Sequence, residues 1–193
     1  MSVVVNGREI KPMTEAEAIY RRWIGYLNEQ FTACQSADRR AEIVRDELHQ
    51  IYFGRPRSSR VNATLNSEMG VGVLAESLDP RNATWEADYS PDVDMALYGP
   101  RKPLIWFWQQ FDRSPLGANF WLGARFRCML GNFIFRRIGS NVKIRPGVRF
   151  TFGYNITLED NCHIGRDVLL DDRNELVLPA GTRVPERSTY PQS

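Results

Sequence analysis

Apolar residues along the first fifth of the chain recur at steps of three and four. Ala16, Ile19, Tyr20, Trp23, Ile24, Leu27 and Phe31 fall on one face of a predicted helix, with Arg21, Arg22, Asn28 and Glu29 opposite. Thr14 and Glu17 have the spacing of a capping box that would open it. After a polar break at residues 32–36, Asp38 can cap a second helix. Its face is Ala41, Val44, Leu48, Ile51 and Tyr52, and Gly54 with Pro56 ends it. His49 lies off that face and is expected to meet solvent. Two amphipathic helices joined by a short loop form a hairpin that needs a further surface to pack on. Residues 55–103 are punctuated by Gly, Pro, Ser and Asn, with one short helix expected within 66–78.

The pattern then changes twice. Over residues 104–137 large rings alternate with arginines: Trp106, Phe107, Trp108, Phe111, Phe120, Trp121, Phe126, Phe133 and Phe135. From Ile138 a period of six begins, through Ile144, Phe150 and Ile156. After a shift of two it resumes at Leu158, Ile164 and Leu170, and after another at Leu178 and Val184. Four places after most lead positions stands a small or β-branched residue (Val142, Val148, Cys162, Val168, Thr182), with Tyr154 and Asn174 as departures. Asn141, Gly147, Asn155 and Asn161 lie where a tight corner needs a left-handed backbone. A period this short fits a flat strand and a turn, repeated so that three faces close one coil of a prism. Cys162 then fills an inward slot as an inert buried thiol. The expected class is α+β. A helical region with a loop-rich linker spans 1–103, an aromatic and basic helical connector 104–137, the repeat 138–184 and a tail 185–193.

The runs Ile138-Gly-Ser-Asn-Val-Lys-Ile144, Phe152-Gly-Tyr-Asn-Ile-Thr-Leu-Glu-Asp-Asn-Cys-His-Ile-Gly165 and Val168-Leu-Leu-Asp-Asp172 resemble the hexapeptide-repeat acyltransferases. The resemblance covers residues 138–184, about a quarter of the chain. It implies a short left-handed parallel β-helix and homotrimers. It also implies an acyl-CoA donor, such as acetyl-CoA, along the coil between subunits. A histidine base would activate the acceptor, a hydroxyl of a saccharide-like molecule or an amine. The chain departs from the family in length. It offers about eight faces, fewer than three coils, and then a tail without aliphatic period or histidine. Pro185 and Pro191 also remove backbone donors where another rung would pair. A chain shortened at its C-terminus, without the part that usually holds the base, is the expectation.

Candidate chemistry is sparse. Of the two histidines, His163 sits between inward Cys162 and Ile164, so alternation turns its ring outward, where Asp160 and Asp167 could orient it and raise its basicity. An exposed side chain on a turn flank is the plainer alternative. If the resemblance extends to activity, His163 is the base to nominate, and Arg145, Arg149 and Arg166 are available to CoA phosphates. Asp171 and Asp172 are expected as an outward acidic pair at a corner, where carboxylates commonly bond their own turn. No metal is expected, since no other Cys or His stands at ligand spacing from Cys162 and His163.

Composition adds three constraints. With 193 residues, 42% hydrophobic and 25% charged, the chain is globular rather than disordered. Three widely spaced cysteines (Cys34, Cys128, Cys162), no leader pattern and no uncharged apolar run long enough to cross a bilayer favour a cytoplasmic setting. The net charge of +2 hides an asymmetry: residues 101–149 carry +9 and residues 76–100 carry −5. The basic aromatic stretch could be core with its arginines paired to the acidic segment, or could lie peripherally on an anionic membrane surface. Nucleic acid is disfavoured because no binding motif accompanies the charge. A non-catalytic scaffold or anionic-surface-binding module is therefore the second functional reading, beside an O-acyltransferase.

Overall fold

The computed structural model describes residues 4–5, 8–9, 11–57 and 69–191. A short antiparallel pair, β1 (Val4–Val5) and β2 (Arg8–Glu9), precedes helices α1 (Thr14–Ala33) and α2 (Ala37–Phe53). The expected caps are not used. Met13 is the N-cap of α1, and Glu17 instead pairs with Arg21 one turn on. Helix α2 starts after Ser36, which leaves Asp38 in the first turn, where its charge complements the helix dipole. Gly54 does end α2, in the left-handed conformation and donating to the Gln50 carbonyl.

His49 corrects the sequence reading: it is buried. Helix α2 is flanked by α5 (Lys102–Arg113) and by a 3-10 turn at Pro80–Asn82, so it buries more than its apolar stripe. The His49 ring lies 4.6 Å from Phe53, with Nδ1 3.1 Å from the Arg55 carbonyl. Buried charges on the same helix find partners, Arg40 on the Cys34 and Pro100 carbonyls and Glu47 on the Trp23 indole N–H. Helix α3 (Met69–Ser77) falls inside the expected window, of which residues 66–68 lie outside the described residues. A second 3-10 turn, Glu86–Tyr89, and the short α4 (Met95–Tyr98) follow, then α5 and α6 (Phe120–Ile134).

The aromatic stretch is core. Phe107, Trp108 and Phe111 of α5 and Phe126 of α6 are buried, Phe111 and Phe126 stack at 3.9 Å, and the Trp23 ring lies parallel to Phe126. The cations within and just before this stretch have separate fates. Arg127 is 1% exposed and holds Asp112 at 2.5 Å; Lys102 reaches Asp88 in the acidic segment; Arg101 donates to the Leu97 and Ile134 carbonyls.

Beyond α6 the chain winds through nine strands: β3 (Arg137–Ile138), β4 (Lys143–Ile144), β5 (Arg149–Phe150), β6 (Ile156–Leu158), β7 (His163–Ile164), β8 (Leu169–Leu170), β9 (Leu176–Leu178), β10 (Arg183–Val184) and β11 (Thr189–Tyr190). They form three all-parallel sheets, β3-β6-β9, β4-β7-β10 and β5-β8-β11, consistent with a short left-handed β-helix in an α+β chain. Stacked positions are twenty residues apart, as in Ile138, Leu158 and Leu178 or Ile144, Ile164 and Val184. A coil therefore has two faces of six residues and one of eight, and the shifts of two in the sequence are its longer third corner.

The coil also passes the Val184 boundary drawn from the period, because β11 completes a third turn. Both prolines are tolerated there, since the bonds between the last two coils use other backbone groups. Leu169 N donates to Ser188 O at 2.9 Å and Asp171 N to Tyr190 O at 2.8 Å, while Gly181 N and Arg187 N of the last coil donate back to Asp160 O and Arg166 O. Asn141 and Asn161 hold positive φ as expected, and Asn141 Nδ2 donates to Asn161 Oδ1 at 2.8 Å. At the second corner only glycine fits position 147, where a Cβ would lie 2.1 Å from Asp167 Oδ1. The third corner uses Gly153 for the left-handed turn; Asn155 instead donates to the Asp172 carbonyl.

Helices and coil share one core. The rings of Trp108, Phe135 and Phe150 meet edge to face, and Trp108 Nε1 donates to Val148 O at 3.1 Å. Asp112 accepts from Gly147 N, and Cys128 Sγ lies 3.2 Å from Val142 O. Tyr154, a departure from the small-residue rule, accepts from Asp94 N and so ties α4 to the coil. Several free backbone groups of the first coil are thus taken up by the helical part, which covers an edge that would otherwise stand open.

Candidate functional site

Strand alternation decides which side chains leave the coil. On the β4-β7-β10 sheet Ile144, Ile164 and Val184 point in, so Lys143, His163 and Arg183 form an outward ladder in direct register. His163 is half-buried, and its ring makes no hydrogen bond among the described residues. Burial lowers its pKa first, and the nearby Arg145, Arg183 and Lys143 lower it further. The expectation that Asp160 and Asp167 raise its basicity is overturned. Asp160 accepts from Ser140 N one coil earlier, and Asp167 faces Arg187 across the second corner. Asp160 serves its corner because coil stacking brings the Ser140 N–H to it.

The other nominated residues separate. Arg145 belongs to the His163 group and lies over the Phe120 ring at 4.3 Å. Arg166 is exposed at the corner after β7, where its carbonyl accepts from Arg187 N. Arg149 is exposed on the neighbouring sheet, in line with Leu169 and Thr189. Lys143 and Arg183 escaped the sequence reading. They stand twenty residues before and after His163, a spacing visible once the coil length is known.

The acidic corner also departs from expectation. Asp171 does bond its own turn, pairing with Arg173 at 2.6 Å. Asp172 is not outward but fully buried. Its carboxylate accepts from the N–H groups of Thr151, Phe152 and Gly153 on the preceding coil, and burial pushes its pKa up against those bonds. The extra length of the third corner is what lets it turn inward. Cys162 is buried as expected, with its thiol pKa raised by burial.

The arrangement offers a neutral imidazole at neutral pH in a cationic surrounding. Such a ring can accept a proton from a bound hydroxyl, and the cations would favour an anionic molecule beside it. Among the described residues no group of three His, Cys, Asp or Glu is placed to hold a metal ion, and no helix is long and apolar enough to cross a membrane.

The chain is 34% identical over 64 residues to a protein of Escherichia coli (strain K12) described as "Putative colanic acid biosynthesis acetyltransferase WcaF", and equally to its Shigella flexneri counterpart. The similarity spans 33% of this chain and 35% of each relative, so the match takes in about a third of the curated relatives' length. No family model and no solved structure matches.

Proposed function

We propose that this chain is an acyltransferase-like protein that moves an acetyl or similar acyl group from acyl-CoA to a hydroxyl of a saccharide-like acceptor. The observation that carries this reading is the outward His163 imidazole in its cationic ladder, on a coil of the kind the resemblance implies. The partial similarity to acetyltransferases supports the same chemistry. In this reading His163 takes the proton from the acceptor hydroxyl as the oxygen attacks the thioester carbonyl, and CoA leaves as its thiol. Arg145 stands beside the ring, and Arg166 at the next corner, as partners for the donor's phosphates. Arg149, on the adjacent sheet, is outside this group. A trimer would bring the coil of one copy against another and close the donor site between them.

The test is thiol release from acetyl-CoA in the presence of a panel of saccharides, with the His163→Ala chain alongside. Acceptor-dependent release that falls by about a hundredfold or more in the variant is expected. Release that ignores His163, or none with any acceptor, would overturn the assignment. Sedimentation of the same preparation checks the trimer.

A further inference from the structure

Two clefts on the helical side of the molecule share residues. The larger, about 820 Å3, lies between α3, the segment after it and α5, with Trp85 and Trp106 in its wall and Glu76 at its rim. The smaller, about 370 Å3, lies between α5 and the corner of the first coil and ends on Arg149. Gln109 and Arg113 of α5 line both, so the clefts adjoin along the outer face of that helix as a two-part trough.

The chemistry along the trough changes in an ordered way. At one end the rings of Trp85 and Trp106 are 5.5 Å apart and tilted by 36°, each half-buried, and Trp106 is fixed by its indole N–H on the Leu78 carbonyl. In the middle the Gln109 amide makes no hydrogen bond among the described residues. At the other end Arg113 and Arg149 are both exposed and have no ion-pair partner among the described residues. Of the carboxylates that line the smaller cleft, Asp112 is held by Arg127 and Gly147 N, and Asp167 stands 4.0 Å from Arg187. Flat aromatic faces bind the C–H side of pyranose rings, planar amides bind vicinal hydroxyls, and paired guanidiniums bind a carboxylate.

We propose that this trough binds an acidic oligosaccharide, with sugar rings against Trp85 and Trp106 and a uronate carboxylate between Arg113 and Arg149. The trough is separate from the His163 ladder. The proposal rests on the preceding reading for the role of the saccharide as acceptor, but the binding needs neither donor nor transfer. Failure of binding and failure of acyl transfer are therefore distinguishable.

The experiment is a titration of the full chain, followed by tryptophan fluorescence and calorimetry, with a tetrasaccharide of alternating glucuronic acid and N-acetylglucosamine and with its carboxyl-reduced neutral form. Saturable binding of both is expected, about tenfold tighter for the acidic form at low salt, the size of one charge-assisted contact. Arg113→Gln with Arg149→Gln should abolish that preference while the melting transition stays that of the parent, a result that misfolding would not give. Trp85→Ala should weaken both sugars about tenfold or more. Absence of binding, equal binding of the two forms, or affinity indifferent to Trp85 would overturn the proposal.

Discussion

The helical part and the coil bury polar groups by different means. In the helical part each buried charge has a single solution, such as Arg127 on Asp112 and Gly117 or Arg40 on two carbonyls. In the coil the solution is modular, because a carboxylate on one turn accepts from backbone N–H groups on its neighbour. Asp160 serves Ser140, Asp172 serves Thr151 to Gly153, and Glu159 serves Ala180. Stability in the first region is concentrated in a few large rings and in buried ion pairs such as Arg127–Asp112, whereas in the second it is distributed over stacked positions.

That contrast can be broken most sharply at Arg127. Arg127→Ala leaves the Asp112 carboxylate without its cation and should lower unfolding free energy by about 4 kcal/mol in urea titration. Equal stability of variant and parent would mean the pair is not the anchor of α5 and α6. Next comes Asp172→Ala, which strands three N–H groups at a buried corner and should cost about 3 kcal/mol. Asp172→Asn, which keeps an acceptor oxygen, should lose less. Ile164→Val removes one methylene from the middle of a stacked column and should cost about 1 kcal/mol, measured the same way. A loss as large as that at Asp172 would show that the column does not share the strain.

The smallest effect expected is that of His163 on pH dependence. Its folded pKa lies below the ordinary 6.5, because burial and then Arg145, Arg183 and Lys143 oppose the imidazolium. A depressed histidine leaves the unfolded chain binding more protons. The stability tied to the neutral ring is therefore complete above pH 6.5 and lost as pH falls through the folded value. NMR titration of the ring should give an inflection below that of an unperturbed histidine side chain, and Arg183→Gln should move it upward. An inflection above 6.5 in the parent would remove the cationic ladder as its environment.

Much of the coil was legible because its inward positions answer to one requirement, an apolar side chain every sixth residue. The shifts of two were visible too, but only the register shows that they form one long corner repeated each turn. Cys162 could be placed by alternation alone. Asp172 could not, since nothing local tells an outward corner carboxylate from one that folds inward to reach the coil before it. His49 was misplaced for a related reason. Periodicity identifies the most apolar face of α2, whereas burial depends on how many neighbours the helix has. The pairing of Lys143 and Arg183 with His163 also lay outside local reading, because adjacency in a coil skips twenty residues. Rings and arginines between 104 and 137 read as core or as surface from the sequence alone, and the packing of α5 and α6 on the first coil is what makes the rings core.

The eight-residue side of each coil has a consequence for how such a prism can change. Two of its edges are locked, since any added residue there would rotate the aliphatic columns out of alignment. The third already accommodates a surplus, which Gly153, Asn155 and Asp172 absorb without disturbing Phe150, Leu170 and Tyr190. Segments grafted between 173 and 175 would leave the prism's interior as it stands, making that edge the natural point for new loops to grow.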